Sequence, residues 1–102
     1  MDRNAIIATL RNRQAELREL GVVSLSLFGS VARGDDGAQS DIDVAVTLDP
    51  ATTPRGFYYI GRLDELKEHL EAALGRAVDL VTEPARKQRF QQEIDRDRVR
   101  AF

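Results

Sequence analysis

The sequence predicts a small α/β (α+β) domain in which a mixed sheet of three to four strands is packed with helices. Three observations carry that expectation. Two long stretches place apolar residues at helical spacing, three short runs are rich in strand formers, and one of the helical stretches lies between the second and third runs. A strand–helix–strand order of this kind implies a parallel pair joined by a right-handed crossover. The 102 residues suit one domain spanning 1–102, with a modest core.

The first helix is expected from Asn4 to Leu20, because Ile6, Leu10, Leu17 and Leu20 share a face and Gly21 is a good stop signal. Val22 to Phe28 is the first strand, closed by Gly29 and followed by a short helix over Val31 to Arg33. Gly34-Asp35-Asp36-Gly37 is loop chemistry, with its adjacent acids best taken as a solvated turn. The second strand runs from Asp41 to Leu48, and the loop from Asp49 to Gly56 is expected to border whatever site that strand carries. Leu63, Leu66, Leu70, Ala73 and Leu74 then form one apolar stripe of a second long helix over Gly61 to Leu74, ended by Gly75. Ala77 to Val81 is the third strand. Thr82 and Pro84 mark the start of a last helix anchored by Phe90 and Ile94.

The chemistry is concentrated between the first two strands. Gly29-Ser30 is followed ten residues later by Asp41-Ile42-Asp43. In a strand, residues two apart share a face, so Asp41 and Asp43 project together while Ile42, Val44 and Val46 project oppositely. Two neighbouring carboxylates repel each other unless a cation stands between them. Mg²⁺ takes oxygen ligands and commonly holds substrate phosphates, so the pair suggests a metal site for phosphoryl or nucleotidyl chemistry. A Gly-Ser turn opening a short helix offers backbone N–H groups and a hydroxyl to a polyphosphate, and Arg33, one turn on, adds a charged fork.

The text Phe28-Gly-Ser-Val-Ala-Arg-Gly34 through Ser40-Asp-Ile-Asp-Val44 resembles the signature of the DNA polymerase β-like nucleotidyltransferase superfamily, and most closely its smallest members, the minimal nucleotidyltransferases. The resemblance covers nearly the whole chain; the ending after Pro84 is its least family-like part. It implies a polymerase β-like palm and a third acid on a later strand, which Asp79 in Val78-Asp-Leu-Val81 supplies. It also implies roles. Gly29, Ser30 and Arg33 would hold the β- and γ-phosphates of ATP. Asp41, Asp43 and Asp79 would be the catalytic and metal-binding carboxylates for two Mg²⁺ ions. Family members of this size typically act as antitoxins that transfer AMP from ATP to a tyrosine of a co-encoded helical HEPN-type ribonuclease toxin. Two alternatives stay open: a small-molecule nucleotidyltransferase of the antibiotic-modifying sort, whose acceptor pocket a homodimer would complete, and a partner-binding antitoxin without turnover.

Composition narrows the setting. Cysteine is absent, which excludes a disulfide scaffold and a thiolate metal site. Neither a signal peptide at the N-terminus nor a run of membrane-spanning length is evident, and a cytoplasmic protein is expected. Net charge is −2, but residues 85–102 carry a balance of +3 and the remainder −5. No aromatic stripe interleaves with the terminal arginines, so direct nucleic-acid binding is not expected, and the segment reads as a solvated helix face. His69 reads as a helix-surface histidine rather than a general base, and Ser40 as a turn residue that orients Asp41. Tyr58 and Tyr59, placed in the loop near the site, are expected to pack beneath it rather than stack on a nucleobase.

Overall fold

The computed structural model describes every residue except Asp36, Ala38 and Gln39. Its elements are α1 (Arg3–Asn12), α2 (Gln14–Glu19), β1 (Val22–Phe28), α3 (Gly29–Arg33), β2 (Ile42–Leu48), α4 (Phe57–Leu74), β3 (Val78–Thr82), α5 (Gln88–Asp97) and β4 (Val99–Arg100). The strands form one mixed sheet in the order β3-β2-β1-β4. β1 is antiparallel to both β2 and β4, while β2 and β3 are parallel, as the intervening helix requires.

The two faces of the sheet are covered by different helices. Alternation along β2 sends Ile42, Val44 and Val46 into a cluster with Ile6, Leu10, Leu66 and Leu70, so α1 and α4 cover that face. Phe28 and Ala45 point the other way, against Ile94 of α5 and the partly buried Val81, Ala85 and Phe90. The single buried polar side chain among the described residues, Ser26, lies on this second face and accepts a hydrogen bond from Arg98 Nη1 at 3.0 Å.

Several boundaries differ from expectation. The first helical stretch breaks at Arg13, whose N–H is shared between the carbonyls of Thr9 and Leu10, and the break leaves both Leu10 and Leu17 fully buried. The second long helix starts at Phe57, behind a Gly56 with φ of +66°, and takes Gly61 into its interior. A mid-helix glycine costs about 1 kcal/mol against alanine, which eighteen helical residues absorb. Thr82 stays in β3 and the Glu83 N–H still bonds the Val46 carbonyl, so α5 begins only at Gln88. The fourth strand is the two-residue β4. The expected acidic turn is described only at Asp35, since Asp36 lies outside the described residues.

This topology moves the Tyr58–Tyr59 segment. β2 leaves the Asp43 end of the sheet and delivers the 49–56 loop to the opposite end, so the loop does not border the acidic site. Tyr58 and Tyr59 lie on the first turn of α4 there, where Tyr58 is exposed and Tyr59 Oη donates to Thr82 Oγ1 at 3.5 Å. The expected packing of both rings under a loop near the site does not occur: Tyr58 is exposed and Tyr59 is half-buried against β3. Among the described residues no helix is long and apolar enough to cross a membrane.

Candidate active site

The acidic residues meet at one end of the sheet, on the face that α5 covers. Asp41, expected as the first residue of the strand, lies one position before β2 and is exposed. Asp43 is the second residue of β2, Asp79 the second of β3, and the parallel register sets them side by side. Neighbouring strands stand about 4.8 Å apart, so these two carboxylates share a confined space. Asp43 is half-buried, and its carboxyl is pushed above the ordinary aspartate range, first by burial and then by the charges of Asp79 and Asp41. Arg33 pulls it partly back.

Gly29 lies against the same carboxylate. Phe28 pairs with Asp43 across the β1–β2 ladder, and the chain then turns with Gly29 at φ +71° to open α3. A Cβ at Gly29 would fall on Asp43 Oδ2 and 3.1 Å from its Cγ, so the glycine is required both by backbone conformation and by contact. A side chain here would therefore obstruct Asp43 first. The Ser30 carbonyl accepts from the Asp35 N–H at 3.0 Å. Its hydroxyl makes no hydrogen bond among the described residues, and the first-turn N–H groups of α3 have no partner within the helix.

Arg33 is more committed than its sequence position suggests. Its Nη1 donates to Asp97 Oδ2 at 2.7 Å and its Nε to Asp35 Oδ2 at 3.2 Å. Asp97 ends α5, and its side chain is only 8% exposed. A phosphate would meet an arginine already oriented by α5 rather than a free fork. Sequence reasoning missed Asp97 because it lies 64 residues from Arg33 and ends an unremarkable charged helix.

Two other residues shape the site. Arg76 Nη2 donates to the Ser40 carbonyl at 2.6 Å, which fastens the chain just before Asp41 to the α4–β3 junction. Ser40 Oγ accepts from the Gly37 N–H at 3.1 Å, the turn role expected of it. His69 faces away from the site, paired through Nε2 with Glu16 Oε2 at 2.7 Å between α4 and α2.

The donor set fits a hard divalent cation: three carboxylates, of which the most buried is destabilised by the charge of the other two. Among the described residues no three such groups already converge as a cation cage.

Comparison with known proteins agrees with this geometry. Residues 8–101 match the nucleotidyltransferase domain family. The protein adenylyltransferase MntA of Thermococcus cleftensis is 35% identical over 95 residues, which span 92% of this chain and 90% of MntA. A candidate protein adenylyltransferase of Methanocaldococcus jannaschii is 46% identical over 61 residues, 60% of this chain and 57% of that relative's own length. Among solved structures, a candidate minimal nucleotidyltransferase superposes with a TM-score of 0.78 at 29% identity, covering 97% of this chain and 95% of the other. A toxin–antitoxin crystal structure with AMP-PNP superposes with a TM-score of 0.66 at 27% identity, covering 100% of this chain and 73% of the other. The chain belongs to the nucleotidyltransferase domain family and, by its likeness to MntA over nearly its whole length, to the minimal nucleotidyltransferases within it.

Proposed function

We propose that this protein transfers AMP from ATP to a hydroxyl of a partner protein, a tyrosine of a co-encoded HEPN-type toxin, and so acts as its antitoxin. The observation that carries the proposal is the pairing of Asp43 with Asp79 beside the Gly29–Ser30 turn: an acidic centre and a phosphate cradle in direct contact. The relatives support the protein acceptor, since MntA is a protein adenylyltransferase and one structural neighbour is a toxin–antitoxin complex with an ATP analogue.

Each residue's part follows from its place. Ser30 and the first-turn N–H groups of α3 hold the β- and γ-phosphates, and Arg33, oriented by Asp97, adds positive charge beside them. Asp41, Asp43 and Asp79 would hold two Mg²⁺ ions, which when bound supply charge stabilisation to the entering and leaving oxygens. Asp79, exposed on the β3 side, would receive the acceptor's proton. Incubating the protein with α-labelled ATP, Mg²⁺ and the helical partner should label the partner and release pyrophosphate. Asp43→Asn should lower that rate at least about a hundredfold with the fold intact. Transfer that survives Asp43→Asn unchanged would remove the assignment.

A further inference from the structure

We propose that the hollow between the outer edge of β3 and the start of α5 is the acceptor-docking subsite, and that it takes an acidic segment of a protein chain. The proposal rests on the nucleotidyl-transfer reading above and adds to it where, and by what chemistry, the acceptor binds.

The hollow opens along β3, the strand that carries Asp79, beginning at the residue after it. Val81 follows Asp79 by two residues on the same face of β3, about 7 Å further along the strand. Val81, Pro84, Ala85 and Phe90 line an open space of about 660 Å³, together with Arg86 and Lys87. Phe90 stands edge-on to Phe28, with ring centroids 5.8 Å apart, and Phe28 is the residue that precedes Gly29 and pairs with Asp43. One aromatic pair thus separates the hollow from the phosphate cradle.

In-line displacement decides which substrate lies on this side. The phosphate cradle flanks Asp43 on the β1 side, and Asp79 with the hollow flanks it on the β3 side. The attacking oxygen must enter opposite the departing pyrophosphate. With the β- and γ-phosphates over Gly29–Ser30, the acceptor comes from β3. Its hydroxyl oxygen bonds to the α-phosphorus as the bond to the bridging oxygen breaks. Pyrophosphate leaves with that electron pair, and the hydroxyl proton passes to Asp79 and on to water. The nucleoside, carried on an equatorial oxygen, lies across this axis and not along it.

Charge supplies the chemistry of the occupant. Arg86 and Lys87 are exposed, and their side chains make no ion pair or hydrogen bond among the described residues. They stand in a segment of balance +3 on a body of balance −5. Unpaired cations above an apolar floor suit an acidic segment that also buries aliphatic or aromatic surface. A nucleic-acid strand is less well served, because the one ring in the hollow is packed against Phe28 instead of being offered for stacking.

The test uses a fluorescent random glutamate–tyrosine copolymer, with a lysine–tyrosine copolymer and a single-stranded RNA as comparison probes. Wild type should bind the acidic copolymer at least about tenfold tighter than either probe, with affinity falling as salt rises. Arg86→Glu with Lys87→Glu should weaken that binding about tenfold or more while leaving the rise in Tm on adding Mg-ATP unchanged. The distant control pair Arg55→Glu with Lys67→Glu should leave it intact. Equal loss in the control pair, unchanged binding in the hollow variant, or preference for RNA would overturn the proposal. Loss of the Mg-ATP response in the hollow variant would also overturn it, by assigning the hollow to the nucleotide. Copolymer that binds through Arg86 and Lys87 yet never receives AMP, from a protein whose partner is also never labelled, would remove the transfer reading and leave the docking surface standing.

Discussion

At Asp43 the fold accepts an unfavourable charge where an apolar or amide side chain would sit more easily. Burial and the carboxylates of Asp79 and Asp41 raise its pKa, so the folded state is favoured while Asp43 is protonated and loses that advantage as pH rises through the folded value. The penalty is full once the pH stands above that folded value. Asp43→Asn should therefore leave the ligand-free protein at least as stable as wild type. Wild type should gain stability from Mg-ATP, about 2.7 kcal/mol at a hundred times the dissociation constant, and the variant should lose most of that gain. Gly29→Val should lose the gain too, but with a less stable ligand-free protein, because its side chain meets Asp43 and its φ of +71° suits glycine. Thermal melts with and without Mg-ATP separate the two. An Asp43→Asn protein that is much less stable than wild type and responds normally to the ligand would make Asp43 structural. Asp41, Asp43, Gly29 and Ser30 were legible in sequence because strand alternation and turn chemistry act over a few residues. The Arg33–Asp97 pair was not, since only tertiary packing brings α3 to the end of α5.

Among the elements, α5 is held to the sheet by a polar network as well as by Phe90 and Ile94. Arg98 Nη1 donates to Glu83 Oε1 at 2.9 Å and to Ser26 Oγ, Arg98 Nη2 donates to Asp95 Oδ1 at 2.9 Å, and Gln91 Nε2 donates to Glu83 Oε2 at 2.7 Å. The Arg98 hydrogen bonds hold the largely buried Glu83 carboxyl below the ordinary glutamate range, against the opposing effect of burial. A depressed folded pKa contributes stability that is present above the unfolded value and lost as pH falls through the folded one. Glu83→Gln should cost about 2 kcal/mol at neutral pH, and the difference from wild type should close in strongly acidic solution. Denaturant melts across that range check it; a pH-independent difference would mean that packing, and not charge, is what the variant loses. The long apolar stripes made α1, α2 and α4 visible in sequence, although their ends were not. Gly61 reads as a boundary yet lies within α4, and nothing in the composition marks the break at Arg13. β4 is two residues long and exists only through pairing with Ser26 and Leu27, so no local pattern announces it.

The whole molecule sets its chemistry at one end of a four-stranded sheet. The topology alone explains why. β1 ends there and β2 and β3 begin there, so a turn and two strand starts converge while the 49–56 loop and the exposed Phe57 and Tyr58 are carried to the other end. The parallel β2–β3 pair was legible from the order of elements, whereas Asp79 was reached only through the family resemblance and its register beside Asp43 only through the sheet. The misplaced tyrosines came from treating a loop that follows the acidic strand in sequence as its neighbour in space. Under the proposed function, this convergence directs attack to the α-phosphate and no other. Parallel reactions with Mg²⁺, the helical partner and ATP labelled at either the α- or the γ-phosphate test it most directly. α-Label should become fixed to the partner while γ-label leaves as pyrophosphate. Label from the γ-phosphate on the partner, with none from the α, would contradict it.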